Sequence, residues 1–173
     1  MEAEVRTARP EEAEALAALA ARLFHETYDP VTDPEDVAAY ASAHFGAAQQ
    51  AAELRDPACT VLLAEVDGRL AGYAQLRRGE APSGVDGERA VEIARFYVDA
   101  PFHGTGVAKT LMESSLAAAE AQGADAVWLP VWKRNGRAVA FYRKHGFRVV
   151  GEQTFLMGSD LQEDHVMVRR PGP

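Results

Sequence analysis

The residues best placed to do chemistry lie in a glycine turn, His103-Gly104-Thr105-Gly106-Val107-Ala108, between an apolar run and a helical pattern. Residues 91–98 have the composition of a strand, and residues 109–122 have the periodicity of a helix. The first N–H groups of a helix lack intrahelical partners, and the aligned peptide dipoles place about half a positive charge there. Because glycine lets the backbone approach an anion closely, the segment predicts a cradle for a phosphate or diphosphate group.

Two common nucleotide-binding motifs do not match this turn. A dinucleotide fingerprint needs a third small residue and an acid at the end of the next strand, but Lys109 holds the third position and that strand ends Val131-Trp132-Lys133. A Walker A loop needs a glycine directly before its Lys-Thr pair, but Ala108 precedes Lys109-Thr110. On these residues alone, a tight strand-to-helix turn whose glycines serve only geometry stays open as an alternative.

A second informative stretch covers residues 135–147. Ala138, Phe141, Tyr142 and His145 stand at positions i, i+3, i+4 and i+7, which places them on one face of a helix. By spacing alone, Phe141 and Tyr142 are ordinary core residues.

Together the two stretches resemble the GNAT superfamily of acetyl-CoA-dependent N-acetyltransferases. The pyrophosphate turn of that family reads Gln/Arg-x-x-Gly-x-Gly/Ala and is similar to His103-x-x-Gly106-x-Ala108, with His103 as the one departure. The family block Asn-x-x-Ala-x-x-Phe-Tyr-x-x-x-Gly-Phe is matched at every named position of residues 135–147. The departure at His103 leaves the backbone cradle intact but removes the usual side chain at that position.

The resemblance implies acetyl-CoA as co-substrate and assigns residues to it. The diphosphate would be bound by the turn and the start of the helix, that is by His103, Gly104, Thr105, Gly106, Val107, Ala108 and Lys109. Asn135 would hydrogen-bond the pantetheine or diphosphate arm, and Tyr142 would lie beside the thioester sulfur. Tyr97 and Val98 would face pantetheine across a splay between two parallel strands. Pro130 is consistent with such a splay because proline cannot donate to a sheet ladder. A proline at an ordinary strand end would explain this residue equally well, without a ligand.

Acetyl transfer to an amine needs two proton movements. An alkyl amine with a pKa near 10.4 is neutral in only about one molecule in 2,500 at pH 7, so a base must remove its proton. Glu92, an acid near the start of the strand at residues 91–98, is the leading candidate for that base. A solvent-facing position, or an ion pair with Arg89 or Arg95, explains Glu92 equally well. Tyr142 is the predicted general acid, because a phenol can protonate the leaving thiolate.

Composition narrows the class of protein. The chain of 173 residues is 47% hydrophobic with a net charge of −8, as expected for one soluble domain spanning residues 1–173. The negative charge argues against general nucleic-acid binding, and no apolar run is long enough to span a membrane. An acidic N-terminus without a signal-peptide pattern suggests a cytoplasmic protein. Cys59 stands alone and the histidines lack metal-ligand spacing, so we expect no disulfide, no covalent cysteine intermediate and no metal.

Basic residues concentrate in one segment. Residues 133–148 contain no Asp or Glu and carry Lys133, Arg134, Arg137, Arg143, Lys144 and Arg148. Such a block suits a polyanionic cofactor if it lies near the glycine turn, whereas a solvated helix face is the alternative.

The N-terminal third is acidic and supplies the predicted acceptor site. Glu26, Asp29, Asp33, Glu35 and Asp36 surround Phe24 and Tyr28, which we expect to contact the acceptor. A cationic amine would be steered to such a region, although surface acids need no such purpose. Three phrases, Phe24-His25-Glu26-Thr27-Tyr28, Arg95-Phe96-Tyr97-Val98 and Val131-Trp132-x-x-Asn135, resemble bacterial polyamine N-acetyltransferases of the PaiA type. That resemblance implies a polyamine or another small cationic amine, and homodimers are frequent in the superfamily.

The remaining patterns predict an α+β fold. Strands are expected at residues 5–8, 60–66, 70–77, 91–98, 126–131, 147–157 and 165–169. Helices are expected from Pro10, over residues 33–45, 47–55 and 104–122, and over residues 136–145. This order, also the order of the GNAT fold, predicts a single mixed, mostly antiparallel sheet flanked by helices.

Other functions stay open at this stage. One is a non-catalytic acyl-CoA-binding sensor that kept the cradle and lost turnover. Another is an acetyltransferase that acts on protein or peptide amines. A third is a structural or nucleic-acid-binding protein that uses the basic segment 133–148.

Overall fold

Residues 2–171, which the computed structural model describes, form seven β-strands and five α-helices. The helices are α1 (Ala13–Tyr28), α2 (Pro34–His44), α3 (Ala47–Arg55), α4 (Val107–Ala121) and α5 (Gly136–Lys144). The strands are β1 (Glu4–Thr7), β2 (Cys59–Val66), β3 (Arg69–Arg78), β4 (Ala90–Val98), β5 (Ala126–Trp132), β6 (Arg148–Met157) and β7 (Asp160–Arg169). No helix in this part of the chain is long and apolar enough to cross a membrane.

All the strands described belong to one sheet, in the order β1-β2-β3-β4-β5-β7-β6. The β4–β5 pair is parallel, and the other neighbouring pairs are antiparallel. The predicted fold class is therefore confirmed. β4 and β5 pair only from Ala90 opposite Ala126 to Glu92 opposite Trp128. Beyond those residues the two strands separate, and Pro130, which has no N–H to donate, lies in the separated part of β5.

Helices cover both faces of the sheet. Leu62 and Leu63 are consecutive in β2 and therefore point to opposite faces. Leu63 packs with the buried side of α1, and Leu62 packs with α4. The buried side of α1 includes Leu16 and Leu23 at helical spacing, and burying each leucine contributes about 2 kcal/mol to folding.

The α4 helix begins three residues later than the sequence suggests, at Val107 instead of residue 104. Gly104 has a φ of 76° and Gly106 a φ of 93°, in the left-handed region that a right-handed helix cannot use. The two glycines therefore form a turn before the helix, and Gly106 is its N-cap.

An ion pair ties α1 to the segment that follows β4. Arg22 Nη2 lies 2.9 Å from Asp99 Oδ2, and Arg22 Nη1 lies 3.1 Å from Asp99 Oδ1. The hydrogen bonds from Arg22 lower the pKa of the buried Asp99 carboxyl. Asp99 is followed by a 3-10 turn, Ala100–Phe102, that leads into the glycine turn, so the pair fixes α1 relative to that turn.

Candidate active site

A cavity of about 320 Å³ occupies the gap where β4 and β5 separate. Its walls come from both strands, the glycine turn, the start of α5 and the end of α1. The predicted site residues that line it are Tyr28, Tyr97, Val98, His103, Ala108, Asn135 and Tyr142. The structure thus brings the two motifs and one end of α1 to a single cavity.

The glycine turn presents its N–H groups without backbone partners. Within residues 2–171, no backbone carbonyl accepts from the N–H of Gly104, Gly106, Val107, Ala108 or Lys109. A side chain added at Gly104 or Gly106 would meet no atom within 4 Å, so this face of the turn is open. Free N–H groups at the start of a helix make a cradle for a negatively charged group.

His103 is held by protein groups on both ring nitrogens. Nε2 lies 2.7 Å from the carbonyl oxygen of Val98, and Nδ1 lies 3.2 Å from Nη1 of Arg137. The Nε2–H donates to Val98 and Arg137 donates to Nδ1, an assignment that satisfies both contacts. His103 therefore joins β4 to α5, and this contact holds the Arg137 guanidinium beside the glycine turn.

Arg137 is a candidate functional residue that the sequence identifies only as one of the six basic residues of segment 133–148. It lines the cavity, whereas the other five basic residues of segment 133–148 do not. Lys133 pairs with Glu152 at 2.9 Å, and the Arg134 guanidinium lies 5.2 Å from the Trp132 ring centre. His103 and Arg137 are far apart in the chain, so no local pattern of residues predicts their contact.

Asn135 caps α5. Its side-chain oxygen accepts from the backbone N–H of Ala138 at 3.1 Å, which satisfies one of the free donors of the first turn. Asn135 also lines the cavity, so its amide N–H groups are the part left to contact a ligand. Asn135 and Ala138, two positions that match the GNAT block of residues 135–147, are thus the two partners of this capping hydrogen bond.

Three tyrosines converge on the cavity. Tyr142 is only 7% exposed, and burial raises its pKa, with a further contribution from Tyr97. Burial also raises the pKa values of Tyr97 and Tyr28, and Tyr97 and Tyr142 both contribute to the shift of Tyr28. A phenol whose pKa is raised stays protonated at neutral pH. All three are therefore neutral hydrogen-bond donors at that pH, and the raised pKa means that each proton is held more tightly than in a free phenol.

Glu92 does not line the cavity. It lies in the part of β4 that still pairs with β5, opposite Trp128 on β5 and Arg77 on β3. Burial raises the pKa of Glu92, and the charges of Arg77 and Arg95 oppose that rise. Arg95 pairs instead with Glu53, at 2.9 Å. The catalytic role of Glu92 stays a prediction.

Phe24 and Tyr28 take different positions at the end of α1. Tyr28 lines the cavity, and its ring centre lies 5.3 Å from that of Trp132. Phe24 is 3% exposed, does not line the cavity and packs behind Tyr28 with ring centres 4.7 Å apart. Of the two residues predicted to contact the acceptor, only Tyr28 lines the cavity, and Phe24 supports its ring from behind.

Most of the acids near α1 and α2 have local partners. Asp33 caps α2 by accepting from the N–H of Glu35, and Asp36 accepts from Ser159. Asp29 lies 3.1 Å from His25. These contacts hold helix ends and loops, which weakens the expectation that this acidic region as a whole steers an amine.

Residues 15–147 match the family described as Acetyltransferase (GNAT) family. The chain belongs to the GNAT acetyltransferase family. The sequence-based assignment to this superfamily is confirmed, as is the prediction of an acetyl-CoA-dependent acyltransferase.

Three curated relatives are described as N-acetyltransferases. The GNAT chain is 42% identical over 158 residues to N-acetyltransferases of Mycobacterium tuberculosis and Mycobacterium bovis, both described as uncharacterized. That match covers 91% of this chain and 97% of each relative. An uncharacterized N-acetyltransferase from the pepI 3' region of Lactobacillus delbrueckii subsp. lactis is 27% identical over 150 residues, which is 87% of each chain.

Among solved structures, the GNAT chain is similar to the PaiA N-acetyltransferase of Thermoplasma acidophilum in complex with coenzyme A. The TM-score is 0.78 at 20% identity, with 99% of this chain and 100% of the other covered. At this identity the likeness shows the fold alone.

The cavity of this GNAT enzyme fits coenzyme A in two respects. The open turn offers free N–H donors to a diphosphate. Beyond Glu92, β4 has no strand partner toward β5 among the pairings described, so its backbone groups are available to the amides of pantetheine. Both features belong to the backbone and do not depend on the side chain at His103.

Proposed function

We propose that this enzyme transfers the acetyl group of acetyl-CoA to a primary amine on a small cationic acceptor. The observation that carries the proposal is one continuous cavity that begins at the free N–H groups of the glycine turn and reaches Tyr142 and Tyr28. We also propose a single N-acetyltransferase domain over residues 1–173, whose terminal residues Met1, Gly172 and Pro173 lie outside the described chain.

The cofactor end of the cavity would hold acetyl-CoA through backbone groups. The turn of residues 103–109 would bind the diphosphate, and Arg137 would add positive charge beside it. Tyr97 and Val98 on β4 and Asn135 on α5 would contact the pantetheine arm. Bound in this way, acetyl-CoA supplies an activated thioester.

Tyr142 is the proposed general acid. A phenol is protonated at neutral pH, so Tyr142 can donate to the leaving sulfur when the carbon–sulfur bond breaks, and burial raises its pKa further. Glu92 remains the base predicted from the sequence, and its place outside the cavity wall would require a water-mediated path to the amine.

Direct attack by the amine is favoured over a covalent cysteine intermediate. Cys59 lies on β2, outside the cavity, and Gln75 donates to its sulfur at 3.2 Å. Burial raises the pKa of the Cys59 thiol, which lowers the fraction of reactive thiolate. Among residues 2–171 no group of His, Cys, Asp and Glu side chains is arranged to hold a metal ion.

The narrower proposal for the acceptor is a polyamine or another small cationic amine. It is supported by the three phrases that resemble PaiA-type enzymes and by the aromatic wall of Tyr28 and Trp132, which suits an alkyl ammonium group. Substrate choice varies on a shared fold, so the acceptor must be tested directly. A homodimer also stays a prediction, measurable by sedimentation.

Thiol release from acetyl-CoA tests the function. The acceptor panel contains spermidine, amino acids, aminoglycosides and peptide N-termini, and we expect release only when a suitable amine is present. Binding of coenzyme A without amine-dependent release would identify a sensor instead. Strong turnover of peptide N-termini with none of spermidine would replace the small cationic acceptor by a peptide.

A further inference from the structure

A buried acid lies beside the acceptor end of the cavity. Asp164 on β7 pairs in register with Trp132 on β5 and with Gln153 on β6. Paired residues on neighbouring strands share a face of the sheet, so the Asp164 side chain lies on the face of Trp132. Trp132 lines the cavity and packs on Tyr28.

The carboxylate of Asp164 has no partner within the described residues. Asp164 is 6% exposed, its Oδ1 is sealed from solvent, and no donor in residues 2–171 forms a hydrogen bond with it. No Lys, Arg or His of that part of the chain forms an ion pair with it. An isolated buried carboxylate is unfavourable unless a donor or a cation meets it.

The titratable groups that face Asp164 are phenols. Tyr28 of α1, Tyr40 of α2 and Tyr97 of β4 have pKa values raised mainly by burial, and the charge of Asp164 adds to each rise. Arg95 of β4 acts on Tyr40 and Tyr97 in the opposite direction. The strand neighbours of Asp164, Trp132 and Gln153, are neutral.

Two of those phenols, Tyr28 and Tyr97, also line the cavity. Asp164 itself is not among the residues that line the cavity, so its carboxylate, next to Trp132, would meet an ammonium group in the cavity through a bridging water. Burial raises the pKa of Asp164 to about 7. A base with a pKa near the working pH can accept a proton in one step and release it in the next.

An ammonium group is the chemical class that complements this environment. It brings a positive charge and three N–H donors to a carboxylate that lacks both. Aromatic faces such as Trp132 and Tyr28 also attract ammonium groups. An acceptor that carries a carboxylate next to its amine would be repelled by Asp164.

We propose that Asp164 binds the ammonium group of the acceptor and takes one proton from it. This proposal rests on the proposed function and names the recognition and proton-accepting residue of the same site. In the step, one N–H bond of the ammonium breaks and an O–H bond forms on Asp164. The freed electron pair of nitrogen can then attack the thioester carbonyl. As the carbon–sulfur bond breaks, Tyr142 protonates the sulfur and regains a proton from the nitrogen, and Asp164 later returns its own proton to solvent.

The test compares wild type with Asp164→Asn and with a matched control, Glu163→Gln. Glu163 is the next residue on β7, its side chain is 69% exposed, and it points to the other face of the sheet. Both variants exchange a carboxylate for an amide of the same size. The measurements are kcat and KM for spermidine and for the most active amine of the panel, the affinity for coenzyme A, and the pH profile of kcat/KM.

For wild type we expect kcat/KM to rise with pH through an apparent pKa near 7, because Asp164 must be ionised in the free enzyme. Asp164→Asn should lower kcat/KM for the amine by about 100-fold at pH 7 and remove this rising limb of the pH profile. Its rate should recover toward pH 10, where the amine itself is neutral. Affinity for coenzyme A should stay within about 2-fold, and Glu163→Gln should match wild type.

If Asp164→Asn turns over the amine at the wild-type rate, with the same KM and the same rise of kcat/KM with pH, this proposal is overturned and the proposed function stands. Failure of wild type to turn over or bind any amine would overturn both. Thermal unfolding checks the fold of the Asn variant. If that variant does not fold, Asp164→Glu supplies the test. It should keep the rise of kcat/KM with pH, while its displaced carboxylate raises KM for the amine. An unchanged KM would count against the proposal.

Discussion

The two ends of the cavity are built in opposite ways. The cofactor end is made of backbone groups from one continuous turn, residues 103–109, with a helix cap at Asn135. The acceptor end is walled by side chains, Tyr28 of α1 and Trp132 of β5, with Asp164 of β7 paired beside Trp132. Most substitutions leave the backbone N–H groups in place, whereas every substitution replaces a side chain. We therefore expect the acceptor end to determine specificity while the cofactor end stays constant.

The largest expected effect comes from Tyr142, which lies between the two ends. Tyr142→Phe removes the proton donor while it keeps the ring, so kcat should fall by about 100-fold or more with unchanged affinity for coenzyme A. Steady-state kinetics and calorimetry measure the two quantities.

Tyr73→Phe is the matched control for that variant. Tyr73 stacks behind Tyr97 with ring centres 5.8 Å apart, and its buried hydroxyl has no hydrogen-bond partner in the described residues. Its removal should leave kcat unchanged and stabilise the fold by about 1 kcal/mol. Equal losses of activity in both variants would show that Tyr142 acts through packing and not as an acid.

The second effect isolates the cofactor end. Gly106→Ala places a methyl group on the open face of the turn at a φ of 93°, so affinity for coenzyme A should fall about 10-fold. Gly123→Ala is the control, because Gly123 has a φ of 79° and open space around it at the other end of α4. Both substitutions should cost about 1 kcal/mol of stability, but Gly123→Ala should bind coenzyme A normally. A normal affinity in Gly106→Ala would place the diphosphate elsewhere.

The same contrast explains how much of the molecule the sequence could predict. The fold class, the glycine turn and the Asn135 cap depend on neighbouring residues, and glycine and asparagine act through their own backbone or the next turn. Patterns of this kind are visible within a few positions of the chain. The predicted helix includes Gly104 and Gly106, whereas both glycines adopt left-handed backbone angles, so the helix begins only at Val107.

The acceptor end could not be predicted in the same way. Phe24 and Tyr28 are four residues apart on one helical face, and only the position of α1 over the gap separates their roles. The sequence predicts a last strand that begins at residue 165 and so excludes Asp164, whereas β7 begins at Asp160. With polar residues Gln162 and Asp164 on its inner face, the start of β7 lacks the apolar alternation that marks a strand.

A third, smaller effect tests the connection between the two ends. Asp99→Asn breaks the charged contact of α1 with the segment before the glycine turn, and should cost about 2 kcal/mol, or roughly 4–8 °C in Tm. Glu26→Gln removes the exposed partner of the same Arg22 and should cost less than about 0.5 kcal/mol.

The pH dependence of this contact has a definite sign. The pKa of Asp99 is lowered in the folded protein, so its contribution is present above the ordinary value of 3.8 and is lost as pH falls through the lowered value. Acid unfolding of wild type and Asp99→Asn should therefore converge at low pH. Curves that stay apart would assign the loss to packing.

The smallest expected effect distinguishes the two acids near the acceptor. Neither acid lines the cavity itself. Glu92 pairs in register with Trp128, which is not a lining residue, whereas Asp164 pairs with Trp132, which is. Glu92→Gln should therefore lower kcat/KM by less than about 3-fold and keep the limb near pH 7, because the strand partner of Glu92 does not line the cavity and the partner of Asp164 does. A loss of about 100-fold together with loss of that limb would instead make Glu92 the base, and the carboxylate of Asp164 would then serve to bind the amine without taking its proton.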